Sequence, residues 1–305
     1  MVDPRKELVP IRTVSRLTGV NPVTLRAWER RYGLIKPQRT PKGHRLYSRQ
    51  DIDLISRVLD LLDRGMSIGQ VRSALETEQS QDVSEAHDDK WQQYRANMIK
   101  AIATFDEASL EDVYNEALAL YPVNVVTRLL VVPMLEEIGR RWESGEGSVA
   151  EEHFFGCYLR NKLGARFHHR PRHIGGSRLV MACLPEQYHE IGLLLFALAA
   201  STRAYDTVLL GANLPLEEIP LAVSRSRGDA VVLSSSTEPA EETLSQSLVS
   251  LVEAVKVPVF VGGRFSDEAI EKITDAGAIF LGDEIETGLR LMREHLDARG
   301  RAGVA

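Results

Sequence analysis

The residues with the most chemistry in them lie late in the chain. His189 follows the apolar run RLVMACL, and Gly192 comes three residues after it. A later apolar run ends in Ser234, Ser235 and Ser236, and the next in Gly262 and Gly263. A neutral imidazole is a metal ligand, hydroxyls pair with polar edges, and glycines leave bare backbone. Short apolar runs separated by helical segments read as strands of a parallel sheet, whose ligands sit beyond the carboxyl ends. His189, the serines and the glycines then share one rim. Together they suit a flat, bulky ligand that carries a metal and needs one imidazole from the protein. The competing reading of His189 is a residue at a helix start that binds nothing.

A different chemistry marks the first 75 residues. They hold 15 Lys+Arg against 7 Asp+Glu, and the remainder holds 22 against 36. A basic head on an acidic body is the electrostatic pattern of a polyanion binder, although a solvated basic face gives the same charge count. Thr13–Thr18 reads as a short helix ended by Gly19, with Asn21-Pro22 as cap and first turn of a second helix, Val23 to Arg31. This helix-turn-helix presents Thr24, Arg26, Arg30 and Arg31. The segment GLIKPQRTPKGHRLYS follows as a β-ribbon, with Arg39, Lys42, His44 and Arg45 around its turn and Tyr47 beyond. A recognition helix reads base edges while basic ribbon residues reach phosphates. Trp28 and Tyr47 could equally be the head's core, and Arg45 could be held in an ion pair.

The elements that position these groups fall into separate domains, as 305 residues demand. Residues 1–75 form the head, and 76–90 (ETEQSQDVSEAHDDK) a solvated acidic linker. In residues 91–175 apolar side chains recur at helical spacing (Tyr94, Met98, Ile102 and Phe105, then Leu110, Val113, Tyr114, Ala117 and Leu118), which predicts a helical bundle. Residues 176–305 alternate strands with helices, the first helix spanning His189–Arg203. The two cysteines, Cys157 and Cys183, give neither a disulfide framework nor a metal spacing. The longest apolar run, Ile191 to Ala200, is too short to cross a bilayer. A reduced, cytoplasmic protein without a membrane partner is expected. His168, His169 and His173 lie in HHRPRHIGG, read as a basic linker rather than a metal cluster.

The head resembles the MerR family of winged helix-turn-helix regulators over residues 10–75, most specifically in TLRAWERRYGL and GHRLYS. The resemblance implies double-stranded promoter DNA as partner, bound by a dimer. The usual long coiled-coil helix is lacking, so the body must supply self-association. The tail resembles the cobalamin-binding Rossmann-like domain of methionine synthase and its relatives, with the signature Asp-x-His-x-x-Gly followed by Ser and Gly-Gly motifs. That likeness makes His189 the lower axial ligand of cobalt. The signature's Asp is Gln187 here, and Glu186 or Glu190 could orient the imidazole instead.

Between head and tail, Trp142 is followed after nine residues by Glu152-His153. That spacing resembles the adenosylcobalamin-dependent, light-sensing branch of the MerR family, the CarH/LitR type. There a four-helix bundle caps the cofactor's upper face. The resemblance gives Trp142 the adenosyl group and Glu152 and His153 the upper pocket, with Ser144–Ser148 as a turn. In characterised light sensors a His follows the Trp, whereas Glu143 stands here. The whole is a multidomain α/β chain: winged helix-turn-helix, four-helix bundle, and Rossmann-like parallel-sheet cobalamin domain. The implied function is a non-enzymatic transcriptional regulator, a repressor, controlled by adenosylcobalamin and light through dimer or tetramer assembly. A MerR-type regulator whose tail takes another ligand, or serves only assembly, is the alternative.

Overall fold

The computed structural model describes residues 8–76, 88–168 and 176–302. The chain divides into two units on either side of the Phe155–Gly156 bond. Residues 77–87 of the expected acidic linker, and 169–175 of the expected basic one with His169 and His173, lie outside the described residues.

The first unit begins with β1 (Val9–Pro10), α1 (Ile11–Thr18) and α2 (Pro22–Ala27), which runs on through a π turn at Trp28–Tyr32. Gly19 ends α1 in the left-handed region at φ 72°, and the Asn21 side chain caps α2 by accepting from the Val23 N–H. The ribbon strands β2 (Gln38–Arg39) and β3 (Arg45–Tyr47) pair antiparallel, and β1 adds to the other edge of β3. Then come α3 (Arg49–Asp63), opened by a reciprocal Ser48/Asp51 capping box, and α4 (Ile68–Glu76).

The bundle segments are α5 (Asp88–Ala103), α6 (Glu107–Leu120), α7 (Val123–Val126), α8 (Val132–Glu143) and α9 (Val149–His168). A π turn at Thr127–Val131 joins α7 to α8 in one continuous rod. It lies just before Pro133, whose ring opposes the carbonyl four residues back and offers it no N–H. That carbonyl, of Leu129, accepts from the Arg95 guanidinium instead. Tyr94, Met98, Ile102, Leu110 and Tyr114 are buried as the periodicity predicts. Phe105 is not. It takes φ 53° just after α5, lies exposed, and packs edge-on against Phe154.

The second unit holds β4 (Arg178–Cys183), α10 (Ile191–Thr202), β5 (Asp206–Gly211), α11 (Ile219–Ser226) and β6 (Ala230–Ser235). It closes with α12 (Leu248–Ala254), β7 (Val259–Gly263), α13 (Asp267–Asp275), β8 (Ile279–Phe280) and α14 (Ile285–Ala302). The five strands are all parallel, in the order β5-β4-β6-β7-β8. Alternate strand residues face opposite layers. Val231, Leu233 and Val261 pack under α11–α13, while Met181, Val232 and Phe260 pack under α10 and α14. The chain enters at β4, steps to the β5 edge, and returns past β4 to β6. The strand order therefore reverses between β4 and β6, and in open α/β sheets ligands bind at that crevice.

Candidate functional site

In the head, α2 is committed on one side. Thr24 and Trp28, one turn apart, are fully buried. The Thr24 hydroxyl donates to the Leu118 carbonyl at 3.3 Å and the Trp28 indole N–H to that of Leu120 at 2.9 Å. Both carbonyls belong to the last turn of α6, which has no helical N–H to offer them. Thr24, expected to read bases, is therefore turned away from any groove, and Trp28 is core. The solvent side carries Arg26, Arg30 and Arg31 as expected, together with Val23, which is 54% exposed. Val23 joins that side through its helical phase, three and seven residues before Arg26 and Arg30.

The wing departs from expectation in the same way. Glu29, on the π turn that ends the recognition helix, receives Arg45 Nε at 2.5 Å and Arg39 Nη2 at 2.7 Å. Burial alone would raise the Glu29 pKa, but the hydrogen bonds from Arg45 and Arg39 outweigh it and hold the carboxyl below its usual range. The Arg45 side chain is only 13% exposed, so it is a clamp between wing and helix rather than a phosphate contact. Tyr47 is fully buried opposite Val9, and burial pushes its phenol pKa up. It belongs to the core, not to a DNA surface. Lys42 and His44 stand exposed at the ribbon turn, and half-exposed Arg39 lies beside them.

In the bundle, Trp142 lies in the last turn of α8 and is 49% exposed. Glu143 is the final residue of that helix and is exposed. The expected turn follows: Gly145 takes φ 74°, the Gly147 N–H donates to Arg141, and Ser148 caps α9 through the Glu151 N–H. Half-buried Glu152 and exposed His153 fall at the start of α9, so the hairpin sets them and Trp142 at the two ends of one turn.

The sheet's crevice is built around Gln187. His189 is exposed on the β4–α10 loop, two residues before α10 rather than inside it. Gln187 is buried and ties this loop to two others. Its side-chain amide donates to Thr237 Oγ1 at 2.6 Å and accepts from the Ser236 N–H and hydroxyl at 3.3 Å, while its carbonyl accepts from the Asn213 N–H. Of the carboxylates proposed to replace the missing Asp, Glu190 pairs with Arg160 at 3.9 Å and Glu186 is exposed. Cys183 ends β4 beneath them, and burial pushes its thiol up to about 12.

The hydroxyls divide by strand alternation. Ser234 is half-buried and faces Gly192, where an added Cβ would meet its Oγ at 3.8 Å. Ser235 is buried and donates to the Thr237 carbonyl at 2.6 Å, so it is not a free donor for a ligand. The glycines divide too. A Cβ on Gly262 would find nothing closer than 3.5 Å, so bare backbone there leaves room. At Gly263 (φ +154°) it would strike the Ser235 carbonyl at 2.2 Å, so that glycine is demanded by the neighbouring strand rather than by a ligand. At the crevice lie the exposed His189 on a braced loop, the Ser234 hydroxyl, the exposed Ser236, whose hydroxyl donates to Gln187, and the openings at Gly192 and Gly262. This set fits a corrinoid: one imidazole for cobalt, polar contacts for its edge, and space for its ring.

Residues 9–78 match the MerR HTH family regulatory protein model, and residues 94–166 match the B12 binding domain model. The HTH-type transcriptional repressor CarH of Myxococcus xanthus is 34% identical over 90% of this chain and 95% of its own length. The repressor CarA of the same organism is 29% identical over 88% of this chain and 91% of its own. Among solved structures, the monomethylamine corrinoid protein of Methanosarcina barkeri shares the fold, with TM-score 0.54 and 18% identity over 68% of this chain and 99% of that one. The chain belongs to the MerR family of DNA-binding transcriptional regulators, in the branch that joins the MerR head to a B12-binding domain and includes CarH and CarA.

Proposed function

We propose that this cobalamin-controlled regulator is a repressor, that adenosylcobalamin is its ligand, and that light reverses its action. The observation that carries the cobalamin assignment is the exposed His189 on a loop that Gln187 braces at the sheet's switch point. His189 is the proposed lower ligand of cobalt, and Ser234, Ser236, Gly192 and Gly262 bound the ring. When bound, adenosylcobalamin supplies a Co–C bond that light breaks. Trp142 is the proposed contact of the adenosyl group, supported by its half-exposed indole and by its spacing to Glu152 and His153. Glu143 stands where characterised light sensors of this branch carry a His, so that position would offer bound cobalamin a carboxylate instead of an imidazole.

Assembly is the proposed output. A multimer presents several heads to one promoter, which raises avidity without new contacts. No reaction is assigned to the chain, whose relatives are transcriptional regulators. Absorption spectra and gel filtration with adenosylcobalamin, in darkness and after green light, test the reading. Co-elution in the dark with a light-dependent change of spectrum and size is expected. Co-elution without a size change removes light control by assembly, and failure to bind removes the cobalamin assignment in favour of another ligand.

A further inference from the structure

Seven large apolar side chains stand exposed among the described residues, and two of them, Leu17 and Val23, flank the turn of the helix-turn-helix. An isolated exposed valine needs no explanation. This one is the second residue of α2, and recognition helices touch bases with their N-terminal residues. It shares its stripe with Arg26 and Arg30, all three exposed. The rest of the helix is occupied: Leu25 is buried, and Thr24 and Trp28 are bonded to α6. The Val23 stripe, with exposed Arg31 near its end, is left to face a polyanion, and its arginines fit one by charge.

We propose that Val23 is a specificity-determining residue that reads the C5-methyl group of a thymine in the major groove. Valine has no donor or acceptor, so it cannot read the hydrogen-bonding edge of any base. The thymine methyl is the one apolar group that edge presents. Covering both removes apolar surface from water, and the neighbouring arginines position the helix on guanine edges or phosphates. A base without the methyl leaves Val23 facing a gap. The inference rests on α2 being the helix that enters the groove.

The test uses the full chain. A preferred site is selected from random duplexes, and each thymine in it is then replaced in turn by deoxyuridine, which differs only by the methyl. One thymine per half-site is expected to lose about fourfold in affinity on replacement, the worth of one buried methyl-sized group. Val23→Ala, an exposed change that leaves the fold intact, is expected to bind both duplexes alike. The proposal is overturned if no thymine shows the loss, or if Val23→Ala keeps the same preference for thymine over uracil. Arg26→Ala separates the two levels. If it neither changes the selected site nor weakens binding to it, the groove-entering role of α2 fails as well.

Discussion

The indole N–H of Trp28, in the recognition helix, donates to the backbone carbonyl of Leu120, at the end of a bundle helix, across 2.9 Å. Ninety-two residues separate the two in sequence. The bond completes the C-terminus of α6 with a side chain from the DNA-binding head, so the head is seated on the bundle rather than merely tethered to it.

Removing that bond should loosen the seat. Trp28→Phe keeps the aromatic bulk but leaves the buried Leu120 carbonyl unsatisfied, at a cost of about 1–3 kcal/mol. The urea unfolding midpoint of the first unit should fall by that free energy divided by the m-value. An unchanged midpoint would mean that water replaces the indole at no cost.

The wing gives a prediction that separates two basic residues. Lys42→Ala should reduce the dependence of DNA affinity on salt by about one phosphate contact, roughly 0.9 in log–log slope. Arg45→Ala should weaken binding yet leave the slope unchanged, because Arg45 is spent on Glu29. A reduced slope for Arg45→Ala would return it to the phosphate backbone.

The same clamp has a pH dependence. The Glu29 carboxyl is held below its usual range, so its contribution to stability is complete above the ordinary carboxylate pKa. It is lost as pH falls through the lowered value. Glu29→Gln should therefore weaken DNA binding at neutral pH and flatten the acid limb of the stability profile. A variant whose acid limb overlays that of the native protein would count against the clamp.

Cysteine labelling offers a check on the second unit. Cys157 is exposed, whereas burial drives the Cys183 thiol up to about 12. One thiol should react at pH 8 in the folded protein and two in denaturant. Two fast thiols in the folded state would place Cys183 at the surface.

His189→Ala should abolish any imidazole coordination of bound cobalamin, read from the cobalt absorption spectrum. An identical spectrum would dismiss His189 as the ligand.

Much of this was legible in the sequence because it is local. Gly19, Asn21-Pro22 and Ser48 punctuate helices through bonds spanning a few residues. The alternation of apolar runs with helical segments gave five strands and located His189 and Ser234 on the same rim. What the sequence hid was direction. Thr24 and Val23 are adjacent, and only the presence of α6, far along the chain, turns one inward and leaves the other out. Arg45 looks like a phosphate ligand until Glu29 is seen 2.5 Å away. Ser234 and Ser235 are chemically alike, yet strand alternation turns one toward Gly192 and buries the other. Gly263 reads as an opening, but the adjacent strand fills it.

The wide turn before Pro133 also fixes an angle. An α-helix advances 100° per residue, so the extra residue of a π turn rotates everything after it by about that much. The bearing of Trp142 and Glu143 around the axis of α8 is thus set eleven to sixteen positions earlier, at Thr127–Val131. A single deletion there would leave every residue beyond it chemically intact, and would swing the indole more than a quarter-turn away from its present heading.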